Sequence, residues 1–231
     1  MYAIQDRVFV LTGGSGGMGR AICKELAERG GKLAICSNDE AGLSGMTVPE
    51  GTLRAVVDVT REDEVAAFFE KVRETFGGAD ALLNLAGLSI PAPVATMTEA
   101  DYDIVMDVNV KGTMLSCKHF LALSRPNAQI LSIGSMAALR ANNSSPVYCA
   151  AKAAVNMLDS CLQLQTLDKD VRVTTLNPGG ADTPFWGTRS VAREKLLKAE
   201  DVARVMLFVL ESDPHIAFHE INFESFAMMK K

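Results

Sequence analysis

The sequence contains no Cys-x-x-Cys pair, no basic cluster, no internal repeat and no Gly- or Pro-rich linker. It also lacks any uncharged apolar stretch of the roughly 18 residues that a membrane-spanning helix needs. Each absence excludes something. Five cysteines (Cys23, Cys36, Cys117, Cys149 and Cys161) are odd in number and unpaired in spacing. That argues for reduced thiols in a cytosolic protein and against a disulfide framework or a zinc site, and no metal is expected. The formal net charge of −5 argues against nucleic-acid binding. Met1 to Asp6 lacks the positive region of a secretory leader, and the apolar run Val8 to Leu11 leads into glycines instead of a cleavage site. A soluble, cytoplasmic protein without membrane contact is the expectation.

What is present is an alternation of two kinds of segment along 231 residues, 48% of them apolar. Arg7–Thr12, Lys32–Ser37, Leu53–Asp58, Asp80–Leu85, Ala128–Ser135, Val171–Asn177 and Glu220–Phe223 are short apolar runs without alternation, as strands buried on both faces of a parallel sheet require. Between them lie helical patterns. Gly17–Arg29 is one. Val65, Phe68, Phe69, Val72 and Phe76 form a second, with Thr60 and Asp63 as a capping pair. Thr98 and Asp101 repeat that pair before Ile104, Val105 and Val108; further helices follow Pro146 and run from about Glu200 to Leu210. Residues 40–52, 88–97, 140–145 and 179–198 read as irregular, and three of these follow strands directly, where an α/β sheet binds its ligands. The fold class is therefore α/β: one domain with a doubly wound parallel sheet and helices on both faces.

Two local patterns carry chemistry. Thr12-Gly13-Gly14-Ser15-Gly16-Gly17-Met18-Gly19 lies between the first strand and the first helix. There glycines let backbone approach phosphate oxygens, and a helix N-terminus offers free amides and a favourable dipole. No Gly-x-x-x-x-Gly-Lys-Ser/Thr occurs, so this is not a triphosphatase loop. Tyr148 and Lys152 stand at i and i+4, on one helix face. A neighbouring ammonium favours phenolate and is expected to bring the tyrosine toward a working pKa as proton donor or acceptor for a carbonyl oxygen. Ser135, at the end of the fifth strand, is placed to hydrogen-bond the same oxygen. Asn109 sits inside a helical segment that its amide does not favour.

Taken together these residues resemble the short-chain dehydrogenase/reductase family, nearly from end to end. Thr12-Gly13-x-x-x-Gly17-x-Gly19 resembles its cofactor motif, Asn84-Leu85-Ala86-Gly87 its N-N-A-G segment, and Pro178-Gly179-x-x-x-Thr183 its P-G-x-x-x-T segment. Asn109, Ser135, Tyr148 and Lys152 follow the order and spacing of its catalytic tetrad. The resemblance implies a seven-stranded Rossmann sheet and hydride transfer between a nicotinamide cofactor and a carbonyl or secondary alcohol of a small molecule. It implies that Tyr148 protonates the carbonyl oxygen, Ser135 holds it, and Lys152 lowers the tyrosine pKa and binds the ribose. Asn109 would hold a water connecting Lys152 to solvent. It further implies cofactor contacts at Gly13, Ser15, Gly17, Met18, Gly19, Ser37, Asn38, Asp58 (at the adenine), Val59, Asn84, Ala86, Gly87, Pro178, Gly179 and Thr183 (at the carboxamide). Leu85, Gly180-Ala181 and the tail Glu220–Ser225 depart from the family pattern.

Ser37 stands where an NAD-selecting acid is expected and Asp39 is read as pointing away, which favours NADP(H) over NAD(H). A short substrate cover is expected at about 180–198. Phe185, Trp186, Leu88, Met136, Leu139 and Asn142 are candidate walls, and Trp186 alternatively anchors that cover. Arg189 and Arg193 either meet an anionic group or face solvent. A homodimer or homotetramer is expected through the apolar faces carrying Met106, Val110, Met114 and Cys117, and Ala151, Val155, Leu158 and Leu162. The alternative function, a cofactor-sensing protein of the same fold, would be expected to lose the tyrosine or lysine. An enoyl reductase would space that pair more widely.

Overall fold

The structure, a computed structural model, describes residues 2–230. β1 (Val8–Thr12) is buried at every position, and α1 begins at Gly17, five residues beyond its end, and runs Gly17–Glu28. The chain then gives β2 (Lys32–Ser37), a short α2 (Glu40–Ser44), β3 (Leu53–Val56), α3 (Glu62–Phe76) and β4 (Ala79–Asn84). One nearly continuous helix follows, made of α4 (Glu99–Met106), a wide π-type turn (Asp107–Lys111) and α5 (Gly112–Leu121). The rest comprises β5 (Ser124–Ile133), α6 (Pro146–Gln165), β6 (Arg172–Pro178), β7 (Ala181–Asp182), β8 (Leu197–Lys198), α7 (Ala199–Leu210), β9 (Glu220–Phe223) and α8 (Phe226–Met229).

Seven strands form one parallel sheet in the order β3-β2-β1-β4-β5-β6-β9. β1 pairs with both β2 and β4, so the connections leave it in opposite directions. That switch opens a crevice at the carboxyl ends of β1 and β4. One face is covered by α1 and α7, whose Ile22, Leu26, Val202 and Met206 pack on Leu11, Ile35 and Leu83. The other is covered by α3, α5 and α6, with Val65, Phe68, Leu115, Phe120 and Leu162 on Val10, Leu82 and Ile130. β7 and β8 form a separate small ladder that closes the base of residues 180–198.

Several boundaries differ from the sequence reading. β5 starts at Ser124 and ends at Ile133, so Ser135 stands beyond the strand. Residues 40–44, read as irregular, form α2 because the Asp39 carboxylate caps it, accepting from Gly42 N at 2.9 Å. Thr60 does not cap α3. Its amide and hydroxyl both donate to Asp58 Oδ1 (2.9 and 2.8 Å), while Arg61 takes the cap position. Thr98 does cap α4, accepting from Asp101 N at 3.1 Å. Of the faces read as an interface, Cys117, Ala151, Val155 and Leu162 are core, while Met114 is exposed.

Candidate functional site

The glycine turn lines a cavity of about 310 Å³ at the switch point. Its close packing explains the glycines. Gly13 has φ +63°, and a Cβ there would lie 2.6 Å from Ala86 N; one on Gly19 would lie 2.5 Å from Gly14 O. Gly17 faces Thr183, whose Cγ2 would lie 2.7 Å from a Cβ. Ser15, Met18, Ser37 and Asn38 line the same cavity, as do Asp58, Val59, Ala86, Gly87 and Thr183. Ser15 Oγ donates to Ser37 Oγ at 2.7 Å, tying the glycine turn to the end of β2. Asn84 lines neither this cavity nor the larger one beside it. Its Nδ2 turns beneath the sheet toward Ser132 Oγ (3.2 Å) and Cys117 Sγ (3.3 Å). Asp39, read as pointing away, lines the smaller cavity because capping α2 turns its carboxylate back along the loop.

The larger cavity, about 630 Å³, adjoins the first through Met18, Leu85, Gly87, Thr183 and Phe185. Ser135, Tyr148, Lys152, Pro178 and Gly179 line it. Ser135 Oγ accepts from Ala137 N at 3.0 Å, which fixes the turn after β5. Tyr148 and Lys152 project from the first turns of α6, a helix opened by Pro146 at its first position. Lys152 Nζ donates to Ile133 O at 2.7 Å and lies 5.8 Å from the centre of the Tyr148 ring. Asn109 is aimed inward by the π-type turn. Its Nδ2 donates to the carbonyls of Leu88 and Val105, each at 2.8 Å, while its buried Oδ1 has no partner among the described residues. A Cβ on Gly87 would lie 2.9 Å from that oxygen and 3.3 Å from Lys152 Nζ. Both atoms therefore face one small polar space.

The electrostatics correct one expectation. Burial pushes the Tyr148 phenol up to about 12. The Ser135 side chain and the Arg189 charge pull the other way without offsetting it. Lys152 is not among the groups that shift the phenol; its own ammonium donates to Ile133 O and is drawn down to about 8 by burial. Beneath it, seven residues along α6, Asp159 is 2% exposed. It accepts from Ser132 Oγ (3.1 Å) and Thr175 Oγ1 (2.8 Å), and burial raises it to about 6.

Phe185, Trp186, Met136 and Asn142 form walls of the larger cavity; Leu88 lines the smaller one and Leu139 neither. Trp186 anchors as well as lines: Nε1 donates to Ala181 O at 2.7 Å, and its ring fills the space a side chain at Gly180 would take. Sequence reasoning missed Asn177, which is fully buried. Its Oδ1 accepts from Ser135 N (2.9 Å), and its Nδ2 donates to Asn222 Oδ1 (2.8 Å) on β9. The signal was available: an asparagine in a strand covered on both faces demands a partner. The atypical tail thus buttresses the serine. Its Glu224 also pairs with Arg140 on the larger cavity.

Comparison with known proteins adds three findings. A family model described as short chain dehydrogenase matches residues 7–194. An uncharacterized oxidoreductase of Staphylococcus saprophyticus is 32% identical over 230 residues, covering 96% of this chain and 98% of that protein. Two solved structures superpose along the chain. An alcohol dehydrogenase from the archaeon Thermococcus sibiricus, complexed with 5-hydroxy-NADP, has a TM-score of 0.87 at 27% identity, covering 96% of this chain and 98% of its own. A short-chain dehydrogenase/reductase (glucose/ribitol dehydrogenase) from Brucella melitensis has a TM-score of 0.89, also at 27% identity and the same coverage.

Proposed function

Because the chain belongs to the short-chain dehydrogenase family of oxidoreductases, we propose that it reduces a carbonyl on a small molecule, or oxidises the corresponding alcohol, with a nicotinamide dinucleotide. One observation carries this reading: Ser135, Tyr148 and Lys152 line the cavity that adjoins the glycine cradle. The cradle fits such a group, since its glycines leave no room for side chains between the turn, Ala86 and Thr183. Gly13 to Gly19 would hold the pyrophosphate, Asp58 and Val59 the adenine end, and Thr183 with Pro178-Gly179 the carboxamide end. When bound, the dinucleotide supplies or accepts hydride.

The protein's own part is proton handling and orientation. Ser135 Oγ donates to the substrate oxygen, and Tyr148 donates the proton that oxygen needs on reduction. The phenol, raised by burial, is protonated at neutral pH and so is available as the donor. Lys152 places positive charge under the developing oxyanion and reaches the ribose hydroxyls. The space shared by Asn109 Oδ1 and Lys152 Nζ is where a water would return the proton from solvent. Residues 180–198 cover the substrate through Phe185 and Trp186.

The dinucleotide preference reads differently from the sequence alone. Ser37, Asn38, Asp39 and Asp58 line the smaller cavity, and among the described residues neither lysine nor arginine does. Arg20, nearby, is committed to the carbonyls of Ser15 and Gly42. A 2′-phosphate would meet a carboxylate without a compensating cation, so this arrangement favours NAD(H). Free thiols at all five cysteines suit a cytoplasmic setting. Exposed Met157 and Leu164 on α6 and Met114 on α5 support self-association through these helices.

The test follows NADH and NADPH oxidation against a panel of ketones and aldehydes. Tyr148→Phe should lose roughly 10²–10⁴-fold in turnover while binding dinucleotide normally, and NADH should outperform NADPH. Tight dinucleotide binding without turnover of any substrate moves the chain to a sensing role.

A further inference from the structure

The protein carries a net charge of −5, yet among the described residues no aspartate or glutamate lines its larger cavity. Among the described residues the charged side chains on that cavity are Arg140, Lys152 and Arg189. Two of them are accounted for. Arg140 is neutralised by Glu224, and Lys152, beneath Tyr148, already serves the proton and ribose chemistry proposed above. Arg189 is different. Its Nε donates to Trp186 O at 2.9 Å and its Nη2 to Phe185 O, both neutral carbonyls, and no carboxylate lies within ion-pair distance of it among the described residues. Neighbouring Arg193 shows the contrast: it turns away to Asp182 at 2.5 Å.

The guanidinium is also held rigidly. Its carbon lies 4.9 Å from the centre of the Phe185 ring and 5.0 Å from that of Trp186. Phe185 in turn packs on Tyr148, ring centres 5.8 Å apart. One aromatic ring therefore separates a preorganised cation from the proton donor, with Nη1 left for a ligand. A cavity lined by charge of a single sign, in a protein of the opposite sign, concentrates ligands complementary to the cavity. Planar guanidinium on an aromatic shelf is the arrangement that recognises a carboxylate.

We infer that the substrate carries a carboxylate near its reacting carbonyl and that Arg189 engages it, an assignment that rests on the oxidoreductase reading above. Arg189 sets specificity here and takes no part in the proton transfer.

The probes are 4-formylbenzoate and its methyl ester, which differ by the one charge. Their binding to the protein saturated with NAD⁺, and in parallel NADP⁺, is measured by calorimetry, so that no turnover is needed. The carboxylate should bind at least tenfold more tightly than the ester. Arg189→Met should remove that preference while leaving the affinities for ester and dinucleotide unchanged, and Arg140→Gln should keep it. Equal binding of the two probes, or of neither, to the wild-type protein overturns the inference whether or not any variant folds. So does an Arg189→Met protein that keeps the preference, or one whose only loss is dinucleotide affinity. Carboxylate-selective binding lost in Arg189→Met, without oxidation of NADH or NADPH by either aldehyde, keeps Arg189 as a carboxylate-binding group and counts against the oxidoreductase reading alone. Ester turnover without carboxylate selectivity does the reverse.

Discussion

Replacing Asp159 by asparagine should stabilise this protein at neutral pH, and the size of the effect follows from where the carboxyl sits. It is 2% exposed, with only two hydroxyls and the charge of Lys152 to replace its hydration. Those partners fall short, so burial leaves the carboxyl at about 6 against an ordinary value near 4, a difference of about 3 kcal/mol. Below about pH 4 the folded and unfolded chains both hold the proton and the difference vanishes. Between about pH 4 and 6 the unfolded chain releases it first, so the folded state loses stability as pH rises. Above about pH 6 the full cost is present. Asparagine keeps the shape and never ionises, but its amide nitrogen replaces one acceptor facing Ser132 or Thr175, which costs about 1 kcal/mol. A net gain of about 2 kcal/mol is expected at about pH 7.5, shrinking to nothing or a small loss at about pH 4. Urea denaturation across that range reads it directly. The same change removes the charge that supports Lys152 against burial, so the alkaline fall in turnover should move to lower pH. A variant that is less stable at neutral pH, with the wild-type slope intact between about pH 4 and 6, refutes the reasoning.

Two further outcomes are expected. Asn177→Ala leaves the Ser135 amide without its acceptor and Asn222 Oδ1 without its donor and should cost about 1–3 kcal/mol; turnover should fall roughly tenfold at unchanged dinucleotide affinity, because the lost contacts support the serine and not the glycine turn. Unaltered turnover in a folded variant rules out that positioning role. Sedimentation velocity should find a dimer or tetramer for the natural chain and a monomer for Met157→Glu with Leu164→Glu, since both side chains are well exposed on α6; a natural chain that sediments as a monomer removes the basis for self-association.

Local spacing by itself determined a large part of this molecule. The four-residue interval from Tyr148 to Lys152 places both on one helix face whatever surrounds the helix. The glycines from Gly13 to Gly19 specify a turn that admits nothing larger, and the apolar runs specify strands covered on both faces. Thr98 capped its helix as its sequence implied, whereas Thr60 was diverted by Asp58. The tertiary structure decided what side-chain environment each residue meets. Asn84 turned under the sheet, Asp39 turned into the smaller cavity, Arg189 lines the larger one and Arg193 turned away to Asp182. Asn177 found its partners 42 and 45 residues away along the chain. The pKa values of Tyr148, Lys152 and Asp159 were likewise set by burial. Desolvation and long-range charge depend on segments distant in sequence coming together, and no local pattern encodes that distance.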